Sequence, residues 1–157
     1  MPNQRSSSMQ TIDMAEFPLK WRWTDEKYCI LPESDLKKIH PLSKAASAIA
    51  WKTSLRFVDS TNHCAPSSVL FDSIDNTPAE NPESVRYWLT SRIPNEEVIV
   101  SWQPDIAVIT TTEIFIKYWD DFCYQSSDDV SIWPSSEKWI LHYHHHDIFY
   151  YGKSKTT

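Results

Sequence analysis

Between Thr110 and Gly152 the apolar spacing changes period, and no other feature of the chain constrains its fold as much. Thr110 with Glu113 three residues on is a capping-box pattern, which predicts a helix start. Phe115, Tyr118, Trp119 and Phe122 then fall on one helical face. After an acidic polar turn at 125–129 the period becomes two. Val130 and Ile132 alternate, then Trp139, Leu141 and Tyr143, then Ile148 and Tyr150. This is strand periodicity, and the polar clusters between the runs are hairpin-like. One helix over 113–123 is therefore expected, followed by an antiparallel meander of strands at 130–133, 138–144 and 147–151.

The upstream chain supplies the rest of the plan. Leu42, Ala45, Ala46, Ile49 and Ala50, extended by Trp51, Leu55 and Val58, predict a helix over 42–58. Asn81 before Pro82 is a cap with proline at the first helical position, predicting a helix over 82–93 with Val85, Trp88, Leu89 and Arg92 on one face. The β-rich runs 97–102 and 106–110, joined by Gln103-Pro104-Asp105, predict a hairpin. Pro32 to Asp35 start a short helix that His40-Pro41 breaks. Leu19, Trp21 and Trp23 alternate with Lys20 and Arg22, as in a first strand or an anchoring segment, and 11–17 suits a short strand or an extended arm. Residues 1–10 are expected to be a disordered lead, and 59–80 a long surface loop with one brief element at 69–71. The sum is an α+β fold: a single domain over 11–157, its N-terminal helices packed on an antiparallel sheet of about five strands.

The single glycine, Gly152, excludes whole classes of chemistry. A chain of 157 residues at average usage would carry about eleven. A P-loop, a dinucleotide fingerprint and a G-x-S-x-G elbow each need several glycines for tight turns or close backbone approach. The net charge of −6 opposes phosphate backbones, so nucleic acid is not an expected partner. Cys29, Cys64 and Cys123 are an odd number at wide spacing, as expected of reduced thiols in a cytoplasmic protein; Cys123 as a nucleophile is the sharper alternative. The first residues carry one Arg and no apolar run, which does not predict a signal peptide, and no stretch has the length of a membrane span.

Two clusters invite chemistry. His142 and His144 share a strand face and, with Asp147 or Glu137, suggest a metal site in a hydrolase. Against it stands a solvated hairpin rim at 142–147, which is the expectation, with no metal and no cofactor. His63-Cys64 lacks a second pair at finger spacing. Asp120, Asp121, Asp128 and Asp129 suit either acid–base work or, as usual for such runs, a solvated turn rim. A third reading joins the features. Five acidic residues and one lysine between Glu113 and Asp129, interleaved with Tyr and Trp, resemble an acidic rim with aromatic anchors for a basic protein cleft. Trp119 and Phe122 fit the core, which leaves Trp133, His144, His145 and Tyr150 as the expected exposed anchors beside the four aspartates.

The runs Tyr118-Trp119-Asp120-Asp121-Phe122-Cys123-Tyr124, Ser126-Ser127-Asp128-Asp129-Val130 and Trp139-Ile140-Leu141-His142-Tyr143-His144, with Gly152 after Phe149, resemble a group of small bacterial proteins of the immunity type found in polymorphic toxin systems. The likeness covers the C-terminal part and, more weakly, the Trp-rich N-terminal part. It implies a cytoplasmic, non-enzymatic inhibitor that binds one cognate toxin directly, as in contact-dependent inhibition. It carries no catalytic residues. A nuclease is the expected toxin class, because a nuclease presents a basic cleft for phosphates. A metal-dependent hydrolase and a non-catalytic regulatory interaction module are the alternatives.

Overall fold

The structure, a computed structural model, describes residues 9–59 and 65–155. After a 3₁₀ turn at Met14–Glu16, the elements run in chain order α1 Trp21–Thr24, β1 Cys29–Ile30, α2 Glu33–Leu36, β2 His40–Pro41, α3 Lys44–Leu55, β3 Phe71–Pro78, α4 Pro82–Arg92, β4 Glu97–Gln103, β5 Ile106–Thr111, α5 Thr112–Lys117, α6 Trp119–Phe122, β6 Val130–Pro134, β7 Trp139–His144 and β8 Ile148–Ser154. The α+β plan stands. One antiparallel sheet has the order β2-β5-β4-β6-β7-β8-β3. The five expected strands are its centre.

Helices cover both faces, which is why β4 to β7 are buried almost residue by residue instead of alternating. On one face Val98, Val100, Trp102, Val108, Val130, Ile132, Leu141, Tyr143, Phe149 and Tyr151 pack against α1, α4, α5 and α6. On the other, Ile99, Ala107, Ile109, Trp133 and Ile140 pack against α3 and against Phe57 and Phe71.

Several expectations are corrected. The 71–78 part of the supposed loop is an edge strand paired along most of its length with β8. Its side chains are mostly exposed and polar, so backbone pairing rather than apolar alternation defines it, and a Pro with charged residues is what an edge tolerates. Trp21 and Trp23 lie on a helical turn, not a strand, with Trp23 fully buried and Trp21 half-buried. Residues 11–17 form a single bridge, Thr11 to Leu42, and the 3₁₀ turn. Of the expected lead, 1–8 lie outside the described residues. Met9 packs partly on the second core and Gln10 accepts a bond from Ser43 N–H at 2.8 Å.

The helix over 113–123 is capped by Thr111, whose hydroxyl accepts from Ile114 N–H at 3.2 Å, while Thr110 instead donates to the Lys38 carbonyl at 2.8 Å. It breaks at Tyr118 into two pieces. The buried stripe of α3 is Ala46, Ser47, Ala50 and Ser54, with Ala45, Ile49 and Leu55 turned outward. Small side chains bring this helix close to the sheet. In β8 the buried phase is Phe149 and Tyr151, not Ile148 and Tyr150. The 144–147 turn decides this: Asp147 N–H bonds the His144 carbonyl at 2.8 Å, Asp147 takes φ 69°, and Tyr143 pairs with Phe149. Two further left-handed positions, Ser126 and Glu137, also fall on non-glycine residues, as a chain with one glycine requires.

Candidate partner-binding surface

The 123–129 turn and α1 are fastened by a buried ion pair. Arg22 Nη1 and Nη2 donate to the two carboxylate oxygens of Asp128 at 2.7 and 3.0 Å, with only 5% and 9% of the side chains exposed. Asp128 also accepts Tyr124 N–H at 2.7 Å, closing its own turn. Arg22 Nη1 shares the Phe122 carbonyl, at 3.2 Å, with Trp102 Nε1 at 2.9 Å. The guanidinium lies over the Tyr124 ring at 4.4 Å and the Trp21 ring at 5.1 Å. Asp128 is thus a structural anion. Its expected place on an exposed acidic rim is corrected: it is buried, and one guanidinium fork and a backbone N–H satisfy its carboxylate there.

On top of that pair sits an aromatic platform. Trp21 contacts Tyr28 at 4.7 Å between ring centroids and Tyr124 at 5.9 Å, and Tyr28 lies 6.4 Å from Tyr124. Tyr28 is 49% exposed and the adjoining Ile30 is 61% exposed. Asp25 and Glu26, in the turn before Tyr28, are exposed, and Asp121 is half-buried against Cys29. Burial raises the Asp121 pKa, while the bond from Cys29 opposes the rise. Burial first, then the Asp121 carboxylate, push the Tyr124 phenol up to about 12. The platform is therefore neutral aromatic surface over the Asp128-paired Arg22 guanidinium and beside anions, with Lys20 and Lys27 as further nearby cations. Lys20 folds back onto the Ala15 carbonyl at 2.7 Å.

The other expected site residues separate. Asp120 is partly exposed and pairs with Arg86 at 3.1 Å. Asp129 is half-exposed and accepts from the His145 backbone N–H at 3.0 Å and from its ring Nδ1 at 2.9 Å. Trp133 is core, 1% exposed and packed edge-on to Phe57 at 5.5 Å, so it is not an exposed anchor. Tyr150 is half-buried opposite His142. His144 and His145 are half-buried at the β7–β8 turn.

The metal set imagined for a hydrolase is not brought together. His142 is buried and bonded to the Ser131 hydroxyl at 3.0 Å, and burial lowers its pKa to about 4. Asp147 accepts the Tyr143 hydroxyl at 2.7 Å, and Glu137 pairs with Arg56 at 3.2 Å before the opposite end of β7. His144 instead joins His145 and His146, with ring centroids 4.1 to 4.5 Å apart. Burial, then the neighbouring His145, lower the His144 pKa. Cys123 is a buried thiol pushed well up by burial, the reverse of what a thiolate nucleophile needs. His63-Cys64 lies outside the described residues.

Sequence reasoning noticed Trp21 as a contact but missed Tyr28, Ile30, Asp25 and Glu26. The aromatics Trp21 and Tyr28 flanking Asp25-Glu26 were the available signal. No protein-family model matches the chain, and no curated protein or solved structure matches it either. Among the described residues no helix is long and apolar enough to cross a membrane.

Proposed function

We propose that this chain is a cytoplasmic immunity-type protein that neutralises a cognate toxin by direct binding, without catalysis. The observation that supports this reading is the platform of Trp21, Tyr28, Tyr124 and Ile30 beside Asp25, Glu26 and Asp121. Tyr and Trp are the side chains enriched at binding hot spots, and a flanking acidic rim steers a basic partner and speeds association. The toxin is then a basic domain of the nuclease class, whose phosphate-holding cleft this surface occludes. Asp120, paired with Arg86, lies next to Asp121 of the rim; Asp129 ends the 123–129 loop and bonds His145 in the separate β7–β8 turn, beside His144. A regulatory interaction module would use the same surface, and the partner's identity separates the two readings.

The test is co-expression with a nuclease-type toxin domain, taken from the neighbouring gene where one is encoded there. Wild type should protect cells. Trp21→Ala with Tyr28→Ala should abolish protection while the protein stays folded. Asp25→Lys with Glu26→Lys should slow association and flatten its salt dependence. Full protection by the folded aromatic double variant, or none by wild type, overturns the reading.

A further inference from the structure

We propose that the β7–β8 turn is a binding site for a divalent transition-metal ion of the Zn²⁺, Ni²⁺ or Cu²⁺ group, with His144, His145 and His146 as ligands and Asp129 orienting His145. Three consecutive side chains on a strand point alternately to opposite faces and cannot share one ion. Here the strand ends at His144. The bond from Asp147 N–H to the His144 carbonyl and the left-handed Asp147 coil residues 144–147 into a turn. One nitrogen from each imidazole lies within 4.8 Å of the others. Tetrahedral coordination at about 2.0–2.1 Å per bond sets nitrogens roughly 3.3 Å apart, so the His144 and His146 rings need to turn toward the His145 ring. His146 is exposed and the other two half-buried, so little packing opposes that rotation.

The second observation is the carboxylate behind the cluster. Asp129 accepts from His145 Nδ1 at 2.9 Å, so the proton is on Nδ1 and the Nε2 lone pair is left for a ligand. It also accepts the His145 backbone N–H at 3.0 Å, which fixes the residue as well as its ring. A carboxylate holding the far nitrogen is the arrangement that orients metal-binding histidines. His144 Nδ1 accepts a long 3.2 Å bond from His146 N–H, and a metal would take that lone pair in its place. Imidazole suits this group of ions, and three protein ligands leave a fourth position for water. The ligand set differs from the one pictured from sequence, which relied on His142.

An unstructured run of histidines also holds metal, but loosely and without regard to Asp129. The experiment exploits that difference. Untagged full-length protein is titrated with Zn²⁺ against a competing chelator, and with Co²⁺ to read coordination from its visible spectrum. One ion per chain is expected, with a tetrahedral Co²⁺ band. His145→Ala and His146→Ala should each weaken binding at least tenfold. Asp129→Asn, which removes no ligand, should weaken it about tenfold, and His40→Ala should change nothing. Equal affinity of wild type and Asp129→Asn, or of wild type and His145→Ala, overturns the site, since an adventitious His run then accounts for all binding.

Discussion

Asp128→Ala is the substitution whose cost is best defined by the geometry. It removes both acceptors of the Arg22 fork, at 2.7 and 3.0 Å, and the acceptor of Tyr124 N–H at 2.7 Å. Arg22 keeps one bond, to the Phe122 carbonyl, and its Nε already has no partner. A guanidinium 5% exposed is then left as an uncompensated buried charge. Breaking such a pair from one side costs about 3–5 kcal/mol. Asp129→Ala, one residue on, removes a half-exposed anion and should cost under about 1 kcal/mol. Replacing both partners, Arg22→Met with Asp128→Leu, removes the stranded charge and leaves mainly the Tyr124 N–H unsatisfied, at about 1–3 kcal/mol. The double variant, although it changes one residue more, should therefore be no less stable than Asp128→Ala alone. Urea unfolding followed by tryptophan fluorescence measures all four proteins. A loss below 1 kcal/mol for Asp128→Ala, or a double variant clearly less stable than Asp128→Ala, would refute the idea that this pair pins α1 to the 123–129 turn. The same arithmetic rules out charge reversal at Asp128 as a probe of binding, because Asp128→Lys would unfold the turn before it tested any surface.

Three further outcomes are expected. Gly152→Ala should destabilise by about 1–3 kcal/mol in the same unfolding assay, because a Cβ there would meet Pro66 Cβ at 2.9 Å and Phe71 Cβ at 3.0 Å; an unchanged urea midpoint would show that the 65–71 segment yields freely. Ser126→Gly should raise stability by about 0.5–1 kcal/mol, since Ser126 is exposed and held at φ 73°, where glycine escapes the Cβ penalty at some entropic cost; a lowered midpoint would contradict this. The buried His142, lowered from 6.5 to about 4, binds a proton in the unfolded chain before the folded one. Stability in chelator-treated buffer should thus be full above pH 6.5 and fall by about 3 kcal/mol in all as pH drops to 4. A His142→Gln variant, which keeps a partner for Ser131, should lose that slope, and an unchanged slope would show that other groups cause it.

The legible parts of the fold were those where one local signal had no competitor. Asn81-Pro82 starts α4 as expected, its side chain accepting from Glu83 and Ser84 N–H at 3.1 Å. The 97–102 and 106–110 hairpin is there because Gln103-Pro104-Asp105 leaves few other turns. Misreadings arose where two signals were equally good. Ile148-Phe149-Tyr150-Tyr151 is apolar in both phases, and only the turn before it, closed by a left-handed aspartate, chooses between them. In α3 the stripe drawn through Ala45 and Ile49 is rotated from the one that packs, since alanines are too many to mark a side and Ser47 and Ser54 gave no apolar signal. The β3 strand had no pattern to find: what defines it is its hydrogen-bonding to β8, a partner over seventy residues later.

The site was less legible than the fold for a related reason. Asp128 and Asp129 are neighbours of one type, and composition gives both the same surface role. What separates them is Arg22, 106 residues away in sequence, which draws Asp128 inside and leaves Asp129 for His145. That one long-range contact also places Tyr124 against Trp21, so the exposed aromatic surface arises where two distant segments are clamped, not within the acidic run itself. An acid-rich string can thus mark the right neighbourhood and still misassign its members. A buried ion pair is costly to keep unless its geometry serves something, and here it holds aromatic rings in place at the surface. If the platform is the inhibitory face, Arg22 and Asp128 should affect binding only through the position of Tyr124. The check is a binding measurement on the Met/Leu double variant: it should lose affinity in proportion to the disorder of the Tyr124 ring, and retain it where that ring stays packed on Trp21.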